Sequence, residues 1–181
     1  MKPFAAALCL LSSLLLLGCS PQNGRTDVRE RVLMHTSFED LEAGAGVPQP
    51  SLTTAKAHTG KVSMFVDKSH PYSATYRKDL GALCDHLPRM FTLSAWVWVA
   101  SPDDEAVIVM AIVNPDDPDH PVFRKTFYMT PLGGSGKWKQ IRQSAELPGD
   151  IHASNQLVLY LWHANAQSPV YTDDWQLTEL W

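Results

Sequence analysis

From Arg31 onward the chain carries almost no helical period, and apolar residues instead recur at every second position. Val62, Met64 and Val66 alternate with Lys61, Ser63 and Asp67, with Phe65 breaking the polar face. Leu93, Ala95, Val97 and Val99 alternate with Ser94, Trp96 and Trp98, and Leu157, Leu159 and Leu161 interleave with Val158, Tyr160 and Trp162. A period of two places successive side chains on opposite faces of a strand, so each run predicts a strand with one face toward a core. Residues 106–113 (AVIVMAIV) are continuously apolar and rich in β-branched residues, which predicts a central strand covered on both sides. Phe123, Phe127 and Met129 follow, and Tyr171, Trp175 and Leu177 mark a last strand. Pro102-Asp103-Asp104 and Pro115-Asp116-Asp117-Pro118 supply turn chemistry between the runs. Residues 80–90 have room for one helical turn. Strands recurring at roughly 10–15 residues predict an all-β fold, two antiparallel sheets stacked as a sandwich or jelly roll over residues 31–181.

The first residues follow another pattern. Lys2 precedes an apolar, uncharged run over residues 4–17, shorter than the roughly 20 residues that span a bilayer and shaped like a secretory h-region. It ends in Leu16-Leu17-Gly18-Cys19, which resembles the lipobox of bacterial lipoproteins. That resemblance implies removal of residues 1–18 as a signal peptide and lipidation of Cys19, with a diacylglyceryl group on sulfur and an acyl chain such as palmitate on the new amino group. Several acyl chains anchor a protein stably, since each buried CH2 contributes about 0.8 kcal/mol. Ser20 stands where an aspartate would favour inner-membrane retention in enteric-type lipoproteins, so the resemblance implies the outer membrane of the cell envelope. Residues 19–30, polar with Pro, Asn and Gly, read as a flexible tether.

Composition narrows the function. A net charge of −4 supplies no basic stripe and argues against a nucleic-acid partner. Once Cys9 leaves with the signal and Cys19 is lipidated, Cys84 has no partner for an intramolecular disulfide and reads as a small buried hydrophobe. Gly133-Gly134-Ser135-Gly136 is followed by Lys137 and opens no helix, so it is neither a phosphate loop nor a nucleophile elbow. The seven histidines show no metal-binding spacing, and Asp116, Asp117, Asp119 and His120 read as a solvated hairpin tip.

Five segments, in order over about residues 35–180, resemble carbohydrate-binding modules of the galactose-binding-like class, most of all the CenC type. They are His35-Thr36-Ser37-Phe38-Glu39-Asp40 as an opening strand, Ala57-His58-Thr59-Gly60-Lys61-Val62-Ser63, Phe91-Thr92-Leu93-Ser94-Ala95-Trp96-Val97, Gly136-Lys137-Trp138, and Val170-Tyr171-Thr172-Asp173-Asp174-Trp175-Gln176-Leu177. The resemblance implies a jelly roll and a structural calcium ion held by the Glu39 and Asp174 carboxylates with backbone carbonyls near Lys61 and Asp174. Such a mix of oxygens suits calcium, which takes six to eight at flexible geometry. Strand alternation adds that one of Asp173 and Asp174 faces inward, where a carboxylate needs a partner.

The aromatic residues are the candidate ligand platform. Trp96 and Trp98 share one strand face and Tyr160 and Trp162 share another, and large outward aromatics suggest either a ligand or a covering element. Trp138 reads as a packing anchor. The reading is a lipid-anchored, non-catalytic binding module at the bacterial cell envelope, with a polysaccharide or glycan as its partner. The alternative is a structural or protein-interaction sandwich without a sugar site. An enzyme is not expected, because no pair of acids is set into an aromatic groove as glycoside hydrolysis requires.

Overall fold

The computed structural model describes residues 29–44, 50–129 and 135–181, with the backbone alone for 42–44. The leader, Cys19 and most of the tether lie outside the described residues. In chain order the elements are β1 (Glu30–Thr36), α1 (Glu39–Gly44), β2 (Leu52–Thr53), β3 (Ser63–Val66), β4 (Tyr76–Asp79) and α2 (Leu80–Leu83). They continue with β5 (Met90–Trp98), β6 (Val107–Val113), β7 (Phe123–Tyr128), β8 (Lys139–Glu146), β9 (Gln156–Trp162) and β10 (Val170–Leu180). One sheet runs β2-β3-β10-β5-β8 with β1 also on β10, and the other runs β4-β9-β6-β7. Every pairing between neighbours is antiparallel. This is the expected sandwich of two antiparallel sheets.

The period-two pattern explains how the sheets meet. Leu93, Ala95 and Val97 of β5 face Ile108, Met110 and Ile112 of β6 and Leu157, Leu159 and Leu161 of β9 in one buried cluster with Phe127, Trp175 and Leu177. Each fully buried side chain of this size contributes roughly 1.5–3 kcal/mol. β6 lies between β9 and β7, and all seven of its residues are buried, as its unbroken apolar run predicts.

Three features differ from the sequence pattern. The opening strand ends at Thr36 rather than running to Asp40. Phe38 takes a positive φ of 67°, its N–H donates to Thr36 Oγ1 at 3.0 Å, and its ring packs edge-on against Trp175, 5.6 Å between centroids. The chain then turns into α1, so Glu39 stands at the start of a short helix. β1 also begins inside the stretch assigned to the tether, since Glu30 pairs with Leu180 and Arg29 exchanges backbone hydrogen bonds with Trp181. Last, β10 changes parity. Its register slips between Asp173 and Gln176, with Asp174 at φ 49°. Tyr171 therefore points outward while Trp175 and Leu177 point into the core, and the three do not share a face. A bulge of this kind inserts a residue and reverses the alternation beyond it.

Buried Asp104 pins the loops at one end. Its carboxylate accepts the Ser101 N–H at 2.9 Å and the Gln167 and Ser168 N–H groups at 2.8 and 3.1 Å, which joins the β5–β6 and β9–β10 connections.

Candidate functional site

On the four-stranded sheet, inward Leu159 and Leu161 leave Tyr160 and Trp162 facing outward. The register sets their neighbours. Trp162 lies opposite Val107, which lies opposite Tyr128 on β7, and Tyr160 lies opposite Val109, which lies opposite Thr126. Tyr72 bridges to Trp162 from the segment before β4, its ring 6.2 Å away and within 10° of parallel, and it meets Tyr160 edge-on at 6.1 Å. Tyr72 and Tyr128 are 58% and 56% exposed and Tyr160 and Trp162 half-buried, so solvent reaches the row. The floor beside it is aliphatic: Ala111, Val113 and Val158 form a second small apolar cluster against Tyr160. The far end is polar. Arg77 donates to Gln156 Oε1 at 3.0 Å, and Gln156 Nε2 donates to Asp79 Oδ1 at 2.8 Å. From Trp162 to Gln156 the strand covers about 20 Å at ~3.4 Å per residue. The face thus offers aromatic planes, an apolar floor and preset polar groups along one line.

Trp96 and Trp98 lie on the other sheet, facing away from Tyr160 and Trp162, so the four candidates form two separate faces. Both tryptophans are covered by the segment before β3. The His58 ring stacks on Trp96 at 3.8 Å and 13°, and Trp138 meets His58 edge-on at 5.7 Å. Lys56 Nζ sits 4.1 Å from the centre of the Trp98 ring, and Tyr171 packs edge-on against that ring at 5.5 Å. Ser63 Oγ donates to the Lys56 carbonyl at 2.6 Å and holds the segment in place.

The same segment gathers the acids that the calcium resemblance named. Glu39 Oε1 accepts the N–H groups of Lys61 and Val62 at 2.9 and 2.8 Å. Asp174 Oδ2 lies 2.6 Å from His58 Nδ1, and its Oδ1 accepts from Thr59 Oγ1 at 2.6 Å. Buried Asp173 accepts three backbone N–H groups, from His58 at 2.8 Å, Thr59 at 3.2 Å and Asp174 at 2.8 Å. Burial drives the Asp173 pKa above the ordinary carboxylate value, against the pull of those hydrogen bonds. Asp173 pairs with outward-facing Trp96, so its partners come from the 58–59 turn rather than from the core, and neither acid needs to enter the core. Among the described residues no three His, Cys, Asp or Glu side chains gather into a metal cluster, so an ion here would depend on backbone carbonyls as well as Glu39 and Asp174. Glu39, Asp173 and Asp174 all reach one turn and bond its N–H and hydroxyl groups directly, while the arginine ion pairs lie elsewhere, at Glu30, Asp85 and Glu179.

No family model matches this chain, and no curated protein matches it. Solved structures do. The chain is similar to the CBM22-2 xylan-binding domain of Paenibacillus barcinonensis Xyn10C, at 16% identity over 81% of this chain and 99% of that one, with a TM-score of 0.56. It is similar to a family 16 carbohydrate-binding module at 14% identity, over 81% of this chain and 99% of that one, with a TM-score of 0.51. A tandem CBM22-1–CBM22-2 structure from the same Paenibacillus protein matches at 14% identity over 82% of this chain and 46% of that one, with a TM-score of 0.52. The chain has the fold of a carbohydrate-binding module. The jelly-roll sandwich of two antiparallel sheets expected from the five segments is therefore its architecture.

Within this module fold, Cys84 is buried. Desolvation, with the nearby Glu179 charge, pushes its thiol up to about 11, which makes it a poor nucleophile. Trp138 touches His58, as a packing anchor would. Sequence reading missed Tyr72, Arg77, Tyr128 and Gln156 on the open face. Tyr72 lies outside any named strand, in a stretch without periodicity, and the other three join the face only through strand register. One signal was available: Arg77 sits in a short polar run that follows Tyr72 and Tyr76.

Proposed function

We propose that this protein is a lipid-anchored, non-catalytic module that holds an extended polysaccharide on the outer face of the four-stranded sheet. The observation that carries the reading is the open row of Tyr72, Trp162 and Tyr160 beside the Arg77–Gln156–Asp79 hydrogen-bonded chain. Sugar rings present flat C–H faces with hydroxyls at their rims. Aromatic planes match the first, and preset amide, guanidinium and carboxylate groups match the second. The length of the face suits several sugar units rather than one. Xylan is the first polysaccharide to try, because the similar Paenibacillus domain is a xylan-binding domain. Binding without reaction is supported by the acids: among the described strand residues that point outward on this face, Asp79 is the single carboxylate, and glycoside hydrolysis uses two.

The leader run and Cys19 support the anchor at the bacterial envelope, and Ser20 supports the outer membrane. Calcium at the 57–62 turn, on the other sheet, belongs to the same proposal. Glu39, Asp174 and carbonyls near Lys61 would hold it, and it would tie the first helix, the 57–62 turn and β10 together.

The test is affinity electrophoresis of the mature domain in gels containing xylan, mixed-linkage glucan, mannan or galactan. At least one should retard the protein, and Trp162→Ala should weaken that retardation by about 30-fold or more, the effect of losing a central aromatic anchor. Retardation by none of them would overturn the sugar reading and favour a protein-interaction domain.

A further inference from the structure

The opposite sheet carries a second concavity. A pocket of about 460 Å3 opens on its outer face, within the size range of small-molecule sites. Its floor is built by register. Trp96 pairs with Gln140 on β8, and Ser94 pairs with Gln176 on β10, which in turn pairs with His35 on β1. Five side chains from four strands thus meet in two adjacent rows, and His58, stacked on Trp96, closes one side.

Part of the polar lining is already used by the fold, since Asp174 accepts from Thr59 Oγ1 and lies 2.6 Å from His58 Nδ1, and part is not. Ser94 is 6% exposed and lines the pocket, yet its hydroxyl bonds to no described residue. The side chains of His35 and Gln140 likewise bond to none. The Ser94 hydroxyl is not a buried, unpartnered atom; it opens into the pocket and, with the exposed His35 and Gln140 side chains, is available to a hydrogen-bonding ligand. The lining also says which kind. It includes no lysine or arginine to neutralise a phosphate or carboxylate and no aliphatic side chain to receive a lipid tail. Hydroxyl, amide and imidazole groups and the Asp174 carboxylate surround a single indole, the equipment for a neutral polyhydroxylated ring.

We propose that this pocket is a second carbohydrate site that takes one terminal sugar residue. Ser94, Gln140 and Gln176 hydrogen-bond its hydroxyls, and the Trp96 edge packs against its apolar side. The site shares His58 and Asp174 with the acid-tied turn but does not depend on the aromatic face across the sandwich. With both faces engaged, one molecule bridges two glycan chains, or a chain end and a chain interior.

The experiment is a 15N NMR titration of the mature domain with D-xylose, D-glucose, D-galactose, D-mannose and N-acetylglucosamine, each followed separately. Shifts should cluster at Ser94, Trp96, Gln140 and Gln176 for at least one sugar. They should persist in Trp162→Ala and require at least tenfold more sugar in Gln140→Ala. Gln140 is exposed, so that variant keeps the fold; Ser94→Leu, which fills the pocket, should abolish the shifts and serves as the independent check. Shifts in the pocket without polysaccharide binding at Tyr72 and Trp162 would support this site and overturn the first. Absence of pocket shifts with every sugar, or pocket shifts unaffected by both Gln140→Ala and Ser94→Leu, would overturn it while leaving the aromatic face untouched.

Discussion

The Asp173 carboxylate is withdrawn from water and also accepts three backbone N–H groups, and burial is the stronger influence on its ionisation. An amide cannot replace it, since Nδ2 carries hydrogens where an N–H already points. Asp173→Asn should therefore destabilise the domain by about 1–3 kcal/mol in urea unfolding. The pH dependence follows from the raised pKa. Between the unfolded value and the higher folded one, the folded state binds the extra proton, so this residue's contribution to stability is fully present below the unfolded pKa and declines as pH rises toward the folded one. The stability gap between wild type and Asp173→Asn should be widest in acid and narrow with rising pH across the carboxylate range. A gap that widens toward neutrality would contradict the assignment.

At the scale of elements, the 57–62 turn organises one whole end of the sandwich. Glu39 caps it from α1, and Asp173 and Asp174 reach it from β10. Gly60 takes φ 59° within it, and a methyl group there would overlap the Glu39 carboxylate. Gly60→Ala should cost about 1–2 kcal/mol from the left-handed backbone alone, and more from the displaced Glu39, read as a lowered melting temperature. The turn also explains what the sequence made legible and what it did not. The inward sets of β5 and β9 could be read directly, because each strand keeps strict alternation; β6 is apolar throughout, so only the register shows which of its residues face inward. The face of Tyr171 could not, because one extra residue at Asp173-Asp174 flips the strand, and no local signal marks that bulge. The cover over Trp96 and Trp98 was equally hidden: it comes from Lys56 and His58, distant in sequence and brought there by the turn. The resemblance to carbohydrate-binding modules did place His58, Glu39 and Asp174 around one locus, which periodicity alone gives no means to do.

For the molecule as a whole, the sandwich separates two tasks. One sheet keeps its outer aromatics under a turn tied by acids, and the other leaves its aromatics open. If calcium completes the first end, it stabilises the native state by mass action, and EDTA should lower the melting temperature of the mature domain, with excess calcium restoring it. An unchanged melting curve together with no calcium by elemental analysis would remove the ion and leave the direct hydrogen bonds as the sole ties. The polysaccharide face does not depend on that outcome, since it lies on the other sheet. Its most direct test is a 15N NMR shift map of the mature domain titrated with an oligosaccharide of the polysaccharide that retards it, for instance xylohexaose. The account predicts shifts along Tyr72, Arg77, Tyr128, Gln156, Tyr160 and Trp162; binding that leaves all six unmoved would contradict it.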